Sequence, residues 1–112
     1  MVCVILRTDH EGFLTSVDVS GHAGSSEAGR DIVCASITTL VRSAARLFER
    51  DGRFLIDGAA DAPGHLYFAV RRRDDFGLEY LRGVGDFVVL GVADVVSEFP
   101  KRCTMKIIQG GN

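Results

Sequence analysis

Val2–Thr8 is a run of β-branched and apolar residues, which predicts a first strand. Asp9-His10-Glu11-Gly12 reads as a turn. Phe13, Thr15, Val17 and Val19 then alternate with Leu14, Ser16, Asp18 and Ser20, the two-residue period of a half-buried strand. The two strands predict a hairpin. Residues 21–30 hold Gly21, Gly24 and Gly29 among small polar side chains, the composition of a flexible loop. From about residue 31 to residue 50 the period lengthens. Val33, Ile37, Leu40, Val41, Ala44, Leu47 and Phe48 recur at three- and four-residue steps, which predicts a helix with one apolar stripe. Asp51-Gly52 is a stop signal.

Phe54 and Ile56 open a third strand, and residues 57–64, with Pro63, read as a turn region. Leu66, Phe68 and Val70 alternate with His65, Tyr67 and Ala69, giving a fourth strand. Asp74 or Asp75 is placed to cap a second helix that runs to about Phe99, ahead of Pro100. Its apolar stripe is wide and includes Tyr80, Leu81, Val84, Phe87, Val88, Leu90, Val92 and Val95. Gly83, Gly85 and Gly91 each cost up to about 1 kcal/mol in a helix interior, so close backbone packing is expected around them. Cys103, Met105 and Ile107 form a last strand. The order ββαββαβ predicts a two-layer α+β fold: a mainly antiparallel sheet with two helices covering one face. Which strands are neighbours does not follow from the pattern.

Composition narrows the possibilities. A chain of 112 residues, 46% of them hydrophobic, fits a single domain over residues 1–112 with an ordinary core. The net charge of −2 argues against a general polyanion binder, so no direct nucleic-acid partner is expected. No apolar run is long enough to predict a membrane span. The chain enters a strand pattern at once with no leader pattern, and its three cysteines are far apart and odd in number. Both features suit the cytoplasm, with reduced thiols rather than a disulfide frame.

The candidate chemistry lies between the second strand and the first helix. His22 stands in Gly21-His22-Ala23-Gly24, and Cys34 follows twelve residues later in Gly29-Arg30-Asp31-Ile32-Val33-Cys34-Ala35. The spacing sets an imidazole at a strand end and a thiol in the first turn of a helix. A helix N-terminus has unpartnered N–H groups and favours negative charge. That favours the thiolate, the reactive form of cysteine. A nearby histidine can take the proton, which completes the minimum apparatus of a cysteine hydrolase. Taken alone, each residue has a plainer reading. A helical cysteine is usually a small buried hydrophobe, and a loop histidine is usually solvated. They gain weight as a pair.

Other residues weigh less. Cys3 and Cys103 lie within apolar strands and read as buried. His10 and His65 read as surface residues. Asp31 either caps the helix by accepting the N–H of Val33 or Cys34, or orients His22 as a third catalytic member. As a cap it would oppose the thiolate by its charge. There is no Cys-x-x-Cys or paired-histidine spacing, so no metal is expected. Arg71-Arg72-Arg73 is the only basic run, and Asp74-Asp75 offset it.

On Gly21-His22-Ala23-Gly24 and Gly29-Arg30-Asp31-Ile32-Val33-Cys34-Ala35, the chain resembles the Prp (YsxB-like) family of bacterial ribosomal-processing cysteine proteases. The resemblance implies a catalytic dyad of His22 and Cys34, with Gly21 and Asp31 also in the motif. Thr38 stands where the family commonly has serine; the hydroxyl is kept, and the extra methyl would narrow the site. Ser36 stands where a second alanine is common. The resemblance further implies a homodimer that needs no cofactor. Its implied substrate is the N-terminal extension of the twenty-seventh large-subunit ribosomal protein, cut after a Phe-Phe pair. Residues 23–30, with Gly24 and Gly29, would then form a gate beside the site. The rival reading is a non-enzymatic ribosome-associated binding protein that uses the sheet face or the Arg71 to Arg73 end, with Cys34 merely structural.

Overall fold

β1 (Val2–Thr8) and β2 (Leu14–Ser20) form the expected antiparallel hairpin. Asp9 shapes its turn: its Oδ1 accepts the N–H groups of Glu11 at 2.9 Å and Phe13 at 3.0 Å, and Gly12 takes a φ of 88°. The strict alternation expected through Phe13 and Thr15 does not hold. Arg7 pairs with Ser16 and Thr8 with Leu14, so Thr15 is a bulged residue. One extra residue changes the phase by one. Leu14 therefore joins the core, and the Thr15 hydroxyl donates to the Arg7 carbonyl at 3.1 Å.

The remaining elements are α1 (Ile32–Arg50), β3 (Phe54–Ala62), β4 (His65–Arg72), α2 (Leu78–Glu98) and β5 (Cys103–Gln109). The computed structural model describes residues 1–21, 32–62 and 64–110, with the side chains of residues 59–62 left aside. The sheet order is β3-β4-β2-β1-β5. Three of its strand pairs are antiparallel, and β5 lies parallel to β1, so the sheet is mixed. The two-layer α+β arrangement is the one expected.

Register shows which face carries the core. Val4 pairs with Val19 and Leu6 with Val17, while Val17 pairs with Phe68. These side chains share one face and are buried. Both helices cover it, α1 through Val33, Ile37, Val41, Ala44 and Phe48, and α2 through Leu81, Gly85, Val88 and Val92. The Phe48 ring stands 5.0 Å from Phe54, 6.3 Å from Phe68 and 6.2 Å from Tyr80, which ties α1 to β3, β4 and α2. Burying such a ring contributes about 1.5–3 kcal/mol.

Four details differ from the sequence reading. First, most of residues 57–64 extends β3 rather than turning. Gly58 and Ala59 are poor strand formers, but pairing with Phe68 and Tyr67 supplies the ladder. Second, neither Asp74 nor Asp75 caps α2. Asp74 Oδ1 accepts the Phe76 N–H at 2.9 Å, and the cap position falls to Gly77 in a left-handed conformation, φ 87°. Third, close packing holds at two of the three α2 glycines. A Cβ at Gly85 would lie 3.2 Å from Leu14 Cβ, and one at Gly91 would lie 2.9 Å from Leu40 Cδ2, whereas Gly83 faces open space. Fourth, Cys3 is only half-buried, because it points to the sheet face that carries no helix; Cys103 is buried as expected.

Candidate active site

Cys34 is the third residue of α1 and is half-buried. Its neighbours explain the placement. Val33 is fully buried and Ile32 is 58% exposed, so the helix start is pinned on one side only. Cys34 follows Val33 by about 100° around the axis, at the boundary between core and solvent. The first turn of α1 contains no acidic side chain. The Ser36 hydroxyl donates to the Ile32 carbonyl at 2.7 Å, closing that turn. Thr38 lies one turn beyond Cys34 and is also half-buried, so the two share a helix flank.

Gly21 ends β2. Its φ is 91°, and a Cβ there would collide with the Met1 carbonyl oxygen. Two requirements thus coincide on glycine: a left-handed backbone and a close approach to the neighbouring chain. Met1 is held there because Val2 donates its N–H to the Arg102 carbonyl at 2.8 Å. The segment that follows, residues 22–31, includes His22, Gly24, Gly29 and Asp31 and lies outside the described residues. So do the contact of His22 with Cys34, the two readings of Asp31 and the gate over residues 23–30.

His65 departs from the surface reading. It is half-buried, and its Nε2 stands 3.0 Å from Asp18 Oδ1 across the β2–β4 pair. The same register sets His65 opposite Ser20, the residue before Gly21. Sequence reasoning missed this pair because its members are far apart in the chain; only the strand register joins them. His10 is exposed, as expected. The Arg71 to Arg73 run ends β4, with Arg71 and Arg73 exposed and Arg72 half-buried. Below it, Asp51 and Arg53 form a two-point ion pair, with Nη2 to Oδ2 at 2.7 Å and Nε to Oδ1 at 3.0 Å. Those hydrogen bonds hold the Asp51 carboxyl at about 2, below its ordinary 3.8. Among the described residues, no helix is long and apolar enough to cross a membrane.

Comparison with known proteins adds to this geometry. Residues 1–104 match the profile of a family described as cysteine protease Prp. The chain belongs to the Prp cysteine protease family. The Bacillus subtilis (strain 168) ribosomal processing cysteine protease Prp is 33% identical over 70 residues. That alignment spans 61% of this chain and 62% of the relative, somewhat less than two thirds of its length. The fold is similar to that of the Staphylococcus aureus Prp, an essential ribosomal processing protease crystallised with a covalently linked product peptide. The TM-score is 0.79 at 20% identity, covering 96% of this chain and 99% of that one. A Streptococcus mutans protein matches with a TM-score of 0.72 at 25% identity, covering 97% and 95% of the two chains. The Prp fold is therefore the fold of this chain.

Proposed function

We propose that this chain is a cysteine endopeptidase that processes a ribosomal precursor protein, with Cys34 as nucleophile and His22 as general base. The observation that carries the reading is the position of Cys34: first turn of α1, accessible at the core boundary, in a chain of the Prp family. The thiolate is the form of cysteine that attacks a carbonyl. The Cys34 sulfur attacks the scissile carbonyl carbon after its proton passes to His22. Collapse of the tetrahedral adduct breaks the C–N bond, and the His22 imidazolium returns the proton to the leaving amine. Water, deprotonated by His22, then hydrolyses the thioester and frees the acid. Backbone N–H groups at the α1 start are suited to the oxyanion. Gly21 and Thr38 support the site, the one by its turn and the other by its place beside Cys34.

By the family resemblance, the substrate is the N-terminal extension of the twenty-seventh large-subunit ribosomal protein, cut after a Phe-Phe pair, and the enzyme works in the cytoplasm as a single-domain homodimer without a cofactor. The catalytic assignment has a direct test. Cys34→Ala should abolish cleavage of a peptide spanning a Phe-Phe site while its thermal unfolding stays cooperative, since alanine suits a helix. Turnover equal to wild type would sink the mechanism. In the same assay His22→Ala should lose most activity. Asp31→Asn separates the two roles of that residue: asparagine caps as well as aspartate and would keep most of the rate, whereas loss of an orienting carboxylate would remove it.

A further inference from the structure

A groove of about 510 Å³ runs between α1 and the β3–β4 pair. This is in the range of sites that hold small ligands, about 300–1,000 Å³. Its floor includes Ile56 and Leu66, apolar side chains of the helix-covered face that α1 leaves half-exposed. Its α1 wall is Arg42, Ala45 and Arg46, and Asp57 stands on the β3 side. Two small residues keep it open. Ala45 contributes only a methyl group, and Gly58 on β3 has a Cβ position already 3.3 Å from the Tyr67 carbonyl.

The phase of α1 connects this groove to Cys34. At 3.6 residues per turn, Thr38, Arg42 and Ala45 lie within roughly 80° of Cys34 around the axis. The core stripe of Val33, Ile37, Ala44 and Phe48 turns the opposite way from Cys34 by roughly 40–100°. Cys34 and Thr38 therefore sit on the flank of α1 that becomes the groove wall two turns later. The rise from Cys34 to Arg42 is about 12 Å. An extended peptide advances about 3.3 Å per residue, so a chain held at Cys34 reaches the groove with its third or fourth residue from the scissile bond.

We propose that this groove is a remote substrate subsite that takes an apolar side chain three to four residues from the cleaved bond. Ile56 and Leu66 receive the side chain, and the exposed guanidinium groups of Arg42 and Arg46 are placed to donate to peptide carbonyls. The subsite rests on the protease reading above, and it adds a requirement that the dyad does not: the enzyme must measure peptide length. A mixed rim of Arg42, Arg46, Glu49 and Asp57 suits a peptide backbone better than a strongly charged ligand.

The test compares two synthetic peptides with the same Phe-Phe site. One ends about two residues from the cleaved bond on each side, short of the groove; the other extends about six residues each way with leucine at the third and fourth positions. The wild-type enzyme should favour the long peptide by about tenfold in kcat/KM, chiefly through KM. Ala45→Phe, which fills the groove, should bring that ratio close to one. Arg46→Glu, at an exposed position that does not threaten folding, should lower it several-fold. A wild-type ratio near one, or a ratio unchanged in both variants, would overturn the subsite while leaving the dyad intact. Failure of the wild type to cut either peptide would overturn the protease reading and the subsite together.

Discussion

Gly21 shows how much one residue can settle. It closes β2 in a left-handed conformation, against the Met1 carbonyl, and it is the last described residue before His22. Gly21→Ala adds a Cβ that must displace the N-terminal strand or the backbone of the turn. A residue forced into this region of φ costs on the order of 1–3 kcal/mol. We expect a lower Tm together with a loss of kcat, because the strand end that leads to the histidine moves with it. Thermal melting and peptide turnover check this; an alanine variant with wild-type Tm would show that the turn relaxes freely. The sequence made this glycine visible by its place in the motif. The reason for it was not visible, because the Met1 carbonyl reaches Gly21 only through the pairing of β1 with both β2 and β5.

At the scale of elements, the α2 glycines separate cost from use. Gly83 has nothing near its Cβ position, while Gly85 and Gly91 abut Leu14 and Leu40. Gly83→Ala should therefore stabilise the protein by about 0.4–1 kcal/mol, through helix propensity and a less free unfolded chain. Gly91→Leu should destabilise it, since Leu40 cannot give enough room between two packed helices. Chemical denaturation of the two variants measures both; destabilisation by Gly83→Ala would contradict the open surroundings assigned to it. The elements themselves were largely legible. Period and stop signals gave α1, β4 and β5 nearly to the residue. The failures were those of local signals overruled by tertiary pairing. Gly58 to Ala62 looks like a turn until β4 supplies a partner, and the bulge at Thr15 reverses a phase that the alternation alone had fixed.

At the scale of the molecule, the sheet order β3-β4-β2-β1-β5 could not be read from the chain, because every strand offers an apolar face and nothing local ranks the partners. The order matters for the site. It puts the end of β2 between β1 and β4, so that Gly21 abuts the start of β1 and His65 stands across from Ser20. It also lets α1 cross β3 and β4 with Cys34 at its first turn and a groove along the same flank. The proposed chemistry starts from His22 and Cys34 as residue types at a spacing in the sequence; the groove could not be read there, because it depends on which strands α1 covers. Every proposed step depends on Cys34 as the nucleophile, and mapping the attachment of a Phe-Phe chloromethyl ketone by mass spectrometry tests that most directly. The thiolate displaces chloride and leaves a thioether on the attacking sulfur. A single adduct on Cys34, formed much more slowly in His22→Ala, is the predicted result; labelling confined to Cys3 or Cys103, or no adduct on any cysteine, would contradict it.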